Sequence, residues 1–272
     1  MKKAIVFYDG KFVAAGEKGI INPFDPGFLY GYGVFETMRS YNEKIFRFYD
    51  HYHRLRQATS RLGIELRDSA GYLQRMAEST IKKNRLLNAY IRLNCWQGAK
   101  RSHTLIFVKK LPRYSCKGFK AIVSEYRHNE YSALAGIKSL NYSNFYLARR
   151  NAEAKGFDEA ILLNTKGNIV EGTRSNIFFV FNKKLFTPSL SCGCLSGVTR
   201  KVVLELARKE RIAVKETNIL PRALHNADEV LVTNSLLEIM PVTRIGKKKI
   251  NKGVPGEITR LLSQRYRTLT KL

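Results

Sequence analysis

Four segments of the sequence carry groups that could act together on one small molecule. Lys138 stands in Ile-Lys-Ser-Leu-Asn, Glu171 in Val-Glu-Gly-Thr-Arg-Ser-Asn, Gly197 begins Gly-Val-Thr-Arg, and Asn234 begins Asn-Ser-Leu. A lysine amine can hold a carbonyl compound as a Schiff base, and a carboxylate can keep a pyridine nitrogen protonated. The free amides of a helix that starts at a glycine bind phosphate. Together these groups are what pyridoxal 5′-phosphate (PLP) requires of a protein.

The order and spacing of these segments resemble the class IV aminotransferase family, which includes branched-chain aminotransferases, D-amino acid aminotransferases and 4-amino-4-deoxychorismate lyases. The resemblance runs from about Phe7 to about Leu262. It implies the mixed α/β (α+β) architecture of a two-lobed fold-type IV PLP enzyme, with a small N-terminal α/β lobe and a larger C-terminal lobe that has a barrel-like sheet. The pattern breaks around a Leu-Pro-Arg run, so we expect lobes over residues 1–112 and 120–272 with a linker over 113–119.

The resemblance assigns a role to each cofactor-binding position. Lys138 is the catalytic Schiff-base lysine, and Glu171 contacts the pyridine nitrogen, which makes the ring an electron sink. Arg54, in the run His-Tyr-His-Arg-Leu, supplies a fork of guanidinium donors to the phosphate. Leu195 packs against one face of the ring. The remaining phosphate contacts are expected from Val198, Thr199, Asn234 and Ser235.

The substrate side is expected in the N-terminal lobe. Tyr30 and Arg39 begin and end the run Tyr-Gly-Tyr-Gly-Val-Phe-Glu-Thr-Met-Arg, which resembles the substrate-pocket segment of the family. Arg92 matches an arginine that meets substrate carboxylates in branched-chain aminotransferases. The resemblance also implies a homodimer whose contacts come largely from this lobe, with residues 28–32 near the cofactor.

Three features favour the aminodeoxychorismate lyase, which releases pyruvate and 4-aminobenzoate in folate biosynthesis. The chain has only 272 residues, a threonine follows Glu36, and residues 232–236 read Val-Thr-Asn-Ser-Leu, which resembles the lyase turn. A branched-chain or D-amino acid aminotransferase is the alternative, because both reactions use the same residues until the carbon beside the amine loses its proton. Two positions depart from the family pattern. They are Tyr32 and Gln97, and the second stands where D-amino acid aminotransferases and many lyases carry an arginine.

The chain is strongly basic, with 48 Lys and Arg against 22 Asp and Glu and a net charge of +26. Such a charge is typical of nucleic-acid binders, so a nucleic-acid-binding protein on an inactivated enzyme scaffold is a further alternative. However, the basic residues are scattered and do not alternate with aromatic residues. This pattern favours a solvated surface that attracts an anionic cofactor and a small anionic carboxylate substrate.

The sequence predicts neither a membrane span nor a metal site. It lacks the run of about 18 apolar residues that a spanning helix needs, and the apolar run near the N-terminus ends at Asp9 in a hairpin turn. Four cysteines fit a reducing compartment, so we expect a cytoplasmic protein. Cys192 and Cys194 lack a second Cys or His pair nearby, which makes a poor zinc site.

The spacing of apolar residues predicts the elements that must position these groups. Helices are expected over 47–62, 71–83 and 141–155, and from Gly197 onward. Strands are expected over 4–14 (turning at Asp9), 18–22, 89–95, 104–109, 120–124, 159–164, 168–181, 184–187 and 230–233.

Overall fold

The computed structural model describes residues 3–17, 21–115 and 117–271, with only the backbone of His225. Most of the predicted strand 18–22, and Cys116, lie outside the described residues. The helices are α1 (Pro26–Leu29), α2 (Phe48–Arg61), α3 (Ala70–Lys83), α4 (Ser143–Ala154), α5 (Val198–Lys209), α6 (Ala223–Asn226) and α7 (Glu257–Thr270). No helix of this described part is long and apolar enough to cross a membrane.

The strands alternate with the helices in a mixed α+β order, as predicted. They are β1 (Ile5–Tyr8), β2 (Lys11–Ala14), β3 (Gly33–Tyr41), β4 (Lys44–Ile45), β5 (Ala89–Gln97), β6 (Ser102–Lys110), β7 (Phe119–His128), β8 (Glu159–Asn164), β9 (Ile169–Gly172), β10 (Asn176–Phe181), β11 (Lys184–Pro188), β12 (Val214–Thr217), β13 (Glu229–Asn234), β14 (Glu238–Ile245) and β15 (Lys248–Lys249).

The chain divides into two compact units. The first comprises Met1–Arg113, Ile137–Tyr142 and Thr270–Leu272, and the second comprises Tyr114–Gly136 and Ser143–Leu269. The segment that holds Lys138 therefore groups with the first unit, although it follows the first strand of the second unit in sequence. The lobe boundaries expected from the sequence stay a prediction.

The first unit is a sheet with strand order β2-β1-β6-β5-β3-β4, covered on one face by α2 and α3. Successive side chains of a strand point to opposite faces. In β3, Val34 and Met38 face the helices and belong to the buried core, together with Leu55 of α2 and Leu73 of α3. Phe35, between them in sequence, points to the other face. This alternation places Val34 and Met38 in the core and Phe35 on the face of the sheet away from the helices.

Backbone hydrogen bonds attach the Lys138 segment to β3. Phe35 N donates to Lys138 O over 2.9 Å, and Leu140 N donates to Gly33 O over 2.8 Å. Gly33 allows this approach, because a Cβ there would come within 2.6 Å of the Leu140 Cδ1 atom. The lysine is thus fixed to a strand more than one hundred residues earlier in the chain.

The second unit is built on a sheet with the order β12-β11-β10-β13-β14-β7-β8-β9, and β15 pairs with β14. The sheet curls, so that β9 comes back toward β10 and β11. Its core contains Ile161, Ile177, Phe179 and Val232, each almost completely buried. The predicted barrel-like sheet of the C-terminal part is consistent with this curl.

One predicted strand is wrong in extent. The sequence predicts a continuous strand over 168–181, whereas the structure breaks it between β9 and β10 at residues 173–175. The buried carboxylate of Glu159 causes the break, because it accepts hydrogen bonds from Thr173 N, Thr173 Oγ1 and Ser175 Oγ. The turn lies between Glu171 and Asn176, and it therefore decides where both of these side chains stand.

Candidate active site

Lys138 lies on the first unit beside two aromatic rings. Its Nζ atom is 4.5 Å from the ring centre of Phe35 and 5.7 Å from that of Tyr142. The side chain is half-buried, and it makes a further interaction in addition to these. An amine against aromatic rings is partly shielded from water while its nitrogen remains available for chemistry.

Glu36, His51 and Arg54 form a buried charged group on the helix-facing side of the same sheet. Arg54 Nε and Nη2 donate to the Glu36 carboxylate over 2.8 Å and 2.6 Å, and His51 Nδ1 lies 2.7 Å from Glu36 Oε2. Burial alone would raise the pKa of Glu36, but the Arg54 charge and the hydrogen bonds from both partners lower this pKa to about 2. Burial lowers the pKa of His51 by more than the hydrogen bond and the charge of Glu36 raise it, and the charges of Arg54 and Lys138 lower it further. The imidazole is therefore neutral near pH 7 and donates its Nδ1 proton to the carboxylate.

The two predicted substrate arginines lie on the opposite face of this sheet. Arg92 Cζ lies 3.5 Å from the ring centre of Phe35, and Arg92 Nε donates to Asn94 Oδ1 over 2.9 Å. Arg39 Cζ lies 4.6 Å from the ring centre of Tyr41. Arg92 stands opposite Thr37 in register, and Thr37 lies two residues before Arg39 in β3. Because alternate residues of a strand point to the same face, both guanidinium groups lie on one face of the sheet.

Tyr30 and Tyr32 lie in a loop of the first unit, and Gln97 is the last residue of β5. Tyr30 is 72% exposed, so its ring stands largely in solvent. The hydroxyl of Tyr32 donates to Leu62 O, which ties its loop to the end of α2. Gln97 Nε2 donates to Gly98 O over 2.9 Å. Both departures thus have local structural partners.

Glu171 is held in the second unit by two amide donors. Asn176 Nδ2 and Leu195 N donate to its Oε2 atom over 3.2 Å and 3.1 Å, and only 6% of the residue is exposed. Asn176 Nδ2 also donates to Leu195 O over 2.8 Å. Hydrogen bonds to a carboxylate favour its charged form. Two hydrogen bonds thus fix the orientation of a buried carboxyl group, the type of group that can pair with a pyridine nitrogen.

The N-terminus of α5 lies beside this carboxylate group. Gly197 caps the helix, and a Cβ at this position would clash with Asn176 Oδ1. The first two helical residues, Val198 and Thr199, are buried. No acidic residue stands in the first turn, so the positive end of the helix dipole is not neutralised there. This is a suitable geometry for an anion such as phosphate.

The Asn234-Ser235 turn follows a strand that pairs with the Asn176 strand. Asn234 Oδ1 accepts hydrogen bonds from the backbone amides of the two leucines that follow Ser235, and Asn234 Nδ2 donates to Arg174 O over 2.9 Å. Thr233 stands opposite Asn176 in register. Within the described part of the chain, the Thr233 hydroxyl is buried without a hydrogen-bond partner. A phosphorylated cofactor fits a site that contains the buried Thr233 hydroxyl, the hydrogen-bonded Glu171 carboxylate and the N-terminus of α5.

The predicted residues thus divide between the two units. The first unit contains Tyr30, Arg39, Arg54, Arg92 and Lys138, and the second contains Glu171, Leu195, Val198, Thr199, Asn234 and Ser235. Sequence reasoning missed the contributions of Glu36, Asn176 and Thr233. The signal for Glu36 was a glutamate at an inward position of an apolar strand, where a buried charge needs a partner.

The two cysteines on either side of Gly193 lie in a turn of the second unit. Cys192 Sγ is 3.1 Å from Asn218 Oδ1, and Cys194 Sγ is near Pro188 O and Ser189 O. Burial raises the pKa of Cys194 to about 12, so its sulfur is a thiol under ordinary conditions. Among the residues with described placement, no group of three or more His, Cys, Asp and Glu could hold a metal ion.

Comparison with known proteins places this chain in one family. The family model for amino-transferase class IV matches residues 33–245. A putative branched-chain-amino-acid aminotransferase of Methanocaldococcus jannaschii is 35% identical, covering 97% of this chain and 96% of that protein. An aminodeoxychorismate lyase of Bacillus subtilis is 33% identical, covering 97% and 94%.

Solved structures agree with the sequence relatives. The branched-chain amino acid aminotransferase of Escherichia coli superposes with a TM-score of 0.93 at 26% identity, covering 99% of this chain and 95% of that chain. Another branched-chain amino acid aminotransferase, solved with pyridoxamine 5′-phosphate, gives a TM-score of 0.92 at 27% identity, with 99% and 95% covered. The predicted fold class is confirmed. The chain belongs to the class IV aminotransferases, a family of PLP-dependent enzymes.

Proposed function

We propose that the protein is a 4-amino-4-deoxychorismate lyase, which releases pyruvate and 4-aminobenzoate. The observation that carries the proposal is the pair of arginines, Arg39 and Arg92, on the sheet face to which Phe35 points. Aminodeoxychorismate bears two carboxylates, and guanidinium groups bind carboxylates through charge-assisted hydrogen bonds. The lyase-like turn at Asn234 and the Bacillus subtilis relative support the same reaction.

Each predicted cofactor residue has a task in this proposal. Lys138 carries the cofactor through Nζ, and Glu171 faces the pyridine nitrogen. Arg54, the amides at Val198 and Thr199, and the turn at Asn234 and Ser235 hold the phosphate, while Leu195 covers one face of the ring. Bound PLP supplies a ring that accepts the electron pair left when the carbon beside the amine loses its proton. This proposal is supported by the two hydrogen bonds that orient the Glu171 carboxylate and by the first turn of α5, which has no acidic residue.

The protein's own groups then move one proton and orient one substrate. Lys138 Nζ takes the proton from the carbon that bears the substrate amine. Arg39 and Arg92 hold the carboxylates, and the exposed ring of Tyr30 lines the substrate pocket. The bond between the ring and the enolpyruvyl oxygen then breaks, the leaving enolpyruvate takes up a proton to become pyruvate, and aromatisation of the remaining ring drives the reaction. The protein therefore contributes mainly position and charge.

An aminotransferase acting on branched-chain or D-amino acids is the second candidate. The Methanocaldococcus jannaschii relative and the Escherichia coli structure favour it. Such an enzyme uses Lys138 in the same way but transfers the amino group to a keto acid instead of releasing pyruvate. The two candidates therefore share Lys138 and the cofactor-binding residues and differ in the product that they form.

The reaction products decide between them. Aminodeoxychorismate is supplied to the purified enzyme, and 4-aminobenzoate is followed by its fluorescence while pyruvate is measured separately. The lyase forms the two products in equal amounts without an amino acceptor. Amino transfer to 2-oxoglutarate, with no 4-aminobenzoate, would assign the protein to the aminotransferases instead.

We further propose a cytoplasmic homodimer whose contacts come mainly from the N-terminal lobe. The exposed apolar side chains of that part support it, because Phe24, Phe28 and Tyr30 are 76%, 62% and 72% exposed. Free thiols at Cys95, Cys192 and Cys194 agree with a reducing compartment. Light scattering tests the dimer, and a fully active monomer would overturn it.

A further inference from the structure

Phe35 is contacted by two cationic side chains of the first unit. Lys138 Nζ lies 4.5 Å from the centre of its ring, and Arg92 Cζ lies 3.5 Å from the same centre. The ring of Tyr142 meets Phe35 edge-on with 5.5 Å between ring centres. Only 3% of Phe35 is exposed, so these neighbours enclose it. Phe35 is thus the shared contact of both cations.

Independent hydrogen bonds fix both cationic partners around the ring. Phe35 N donates to Lys138 O over 2.9 Å, which holds the lysine backbone against β3. Asn94 stands opposite Phe35 in register, and its Oδ1 accepts from Arg92 Nε over 2.9 Å. Cations are attracted to the face of an aromatic ring by its quadrupole. The Phe35 ring therefore attracts two cationic side chains that hydrogen bonds already hold in place.

We propose that Phe35 is a positioning residue that holds the Lys138 amine and the Arg92 guanidinium at a fixed separation. That separation decides which carboxylate-bearing substrates present the carbon beside their amine to Lys138 Nζ. The inference rests on the proposed function, in which Lys138 moves the proton and Arg92 binds a carboxylate. It assigns to one ring an effect on both proton transfer and carboxylate binding.

Substitution of the ring tests this role. Phe35→Leu keeps an apolar side chain and removes the quadrupole, whereas Phe35→Tyr keeps the ring. The matched control is Phe12→Leu, because Lys83 Nζ lies 4.7 Å from the Phe12 ring centre on the same unit. Each variant is titrated with glutarate, a dicarboxylate without an amine, and binding is followed by the absorbance of bound PLP. Turnover is measured on the same samples.

In Phe35→Leu we expect the glutarate Kd to rise and kcat to fall, each by about tenfold, the effect of losing a desolvated cation–ring contact. Phe35→Tyr and Phe12→Leu should stay within about twofold of the wild type for both quantities. In an Arg92→Met background, Phe35→Leu should change the glutarate Kd by less than about twofold, because residues that act through each other are not additive. Full additivity, or an unchanged Kd and kcat in Phe35→Leu, overturns the proposal.

A second measurement covers the case in which Phe35→Leu does not fold. Pentafluorophenylalanine at position 35 keeps the shape of the ring and reverses its quadrupole. It should weaken glutarate binding and turnover as leucine does, and wild-type values would remove Phe35 from the proposed role. The underlying function fails separately: a wild type that takes up no PLP on Lys138 removes the site itself, whereas a PLP-loaded wild type with an unaffected Phe35→Leu removes only this inference.

Discussion

The Nε and Nη2 atoms of Arg54 both donate to the Glu36 carboxylate, over 2.8 Å and 2.6 Å. Glu36 is 2% exposed and stands on a strand whose neighbouring inward positions are apolar. Its carboxylate thus fixes the direction of the arginine that we propose for the cofactor phosphate. Because breaking a buried ion pair leaves an uncompensated charge, stability and cofactor binding should depend on the same residue.

Glu36→Gln should lower both quantities. The amide cannot neutralise Arg54, so the free energy of unfolding should fall by roughly 3 kcal/mol at neutral pH. PLP affinity should fall as well, because the guanidinium loses its fixed orientation. Urea unfolding followed by circular dichroism measures the first effect, and titration of apoprotein with PLP measures the second. Glu65→Gln removes an exposed partner of Arg67 and serves as the control, with a change within about 0.5 kcal/mol.

The pH dependence of this difference follows from the lowered pKa. The Glu36 pKa is about 2 in the folded protein, against an ordinary value of 4.5 for a glutamate carboxyl group. A depressed carboxyl pKa contributes stability above the unfolded pKa, and this contribution is lost as pH falls through the folded pKa. The gap between wild type and Glu36→Gln should therefore be constant near neutrality and shrink between pH 4.5 and about 2. A gap that does not change with pH over this range would contradict the ion-pair explanation.

Gly197→Ala should weaken PLP binding. A Cβ at this position clashes with Asn176 Oδ1, and Asn176 also holds Glu171 and the carbonyl of Leu195. The substitution should therefore disturb the α5 N-terminus and the carboxylate together. Equilibrium dialysis of PLP measures the effect. Gly71→Ala is the matched control at a helix start, where the added Cβ would lie 3.5 Å from an arginine side-chain atom. Equal PLP affinity in the two variants would argue against the phosphate site.

Glu171→Gln should leave PLP bound and reduce turnover by roughly two orders of magnitude, as expected when charge stabilisation in an enclosed site is lost. The amide keeps the size of the side chain but cannot hold a pyridine nitrogen in its protonated form. The absorbance spectrum reports bound cofactor, and 4-aminobenzoate formation reports turnover. Glu153→Gln alters an exposed pair with Arg149 and should change neither. Activity near the wild-type level in Glu171→Gln would remove this residue from its role.

Arg92→Met should raise the KM for aminodeoxychorismate and leave the PLP spectrum unchanged. Methionine keeps much of the stem volume and loses the charge, at a cost of about 1.5–3 kcal/mol for a charged hydrogen bond. This cost corresponds to a KM increase of roughly tenfold or more. Arg149→Met, on an exposed face of α4, is the control. An unaltered KM would mean that Arg92 does not bind the substrate carboxylate.

Local patterns of the sequence predicted most of the elements. The apolar spacing predicted helices over 47–62 and 71–83, and the structure has them at Phe48–Arg61 and Ala70–Lys83. The apolar residues that indicate these helices are separated by about one helical turn, so the pattern can be recognised without any distant contact. The predicted strand over Glu159–Asn164 is confirmed for the same reason.

Non-local contacts account for what sequence reasoning did not find. The break between Glu171 and Asn176 depends on the carboxylate of Glu159, which belongs to a different strand. Glu36 finds its partners 15 and 18 residues further along the chain. The Lys138 segment is attached to β3 by backbone hydrogen bonds, and such bonds leave no pattern of side chains in the sequence. The sequence did not predict helix α7. Its start is capped by the carboxylate of Glu229, which is distant in the chain.

Borohydride reduction of the PLP-loaded protein is the most direct test of the account. Reduction fixes the cofactor to the amine that carries it, and peptide mass mapping then identifies the residue. We expect the adduct on Lys138, and we expect Lys138→Ala to lose both the near-visible absorbance and turnover, while Lys155→Ala, on an exposed lysine, keeps both. An adduct on any other lysine, or full turnover by Lys138→Ala, would contradict the assignment.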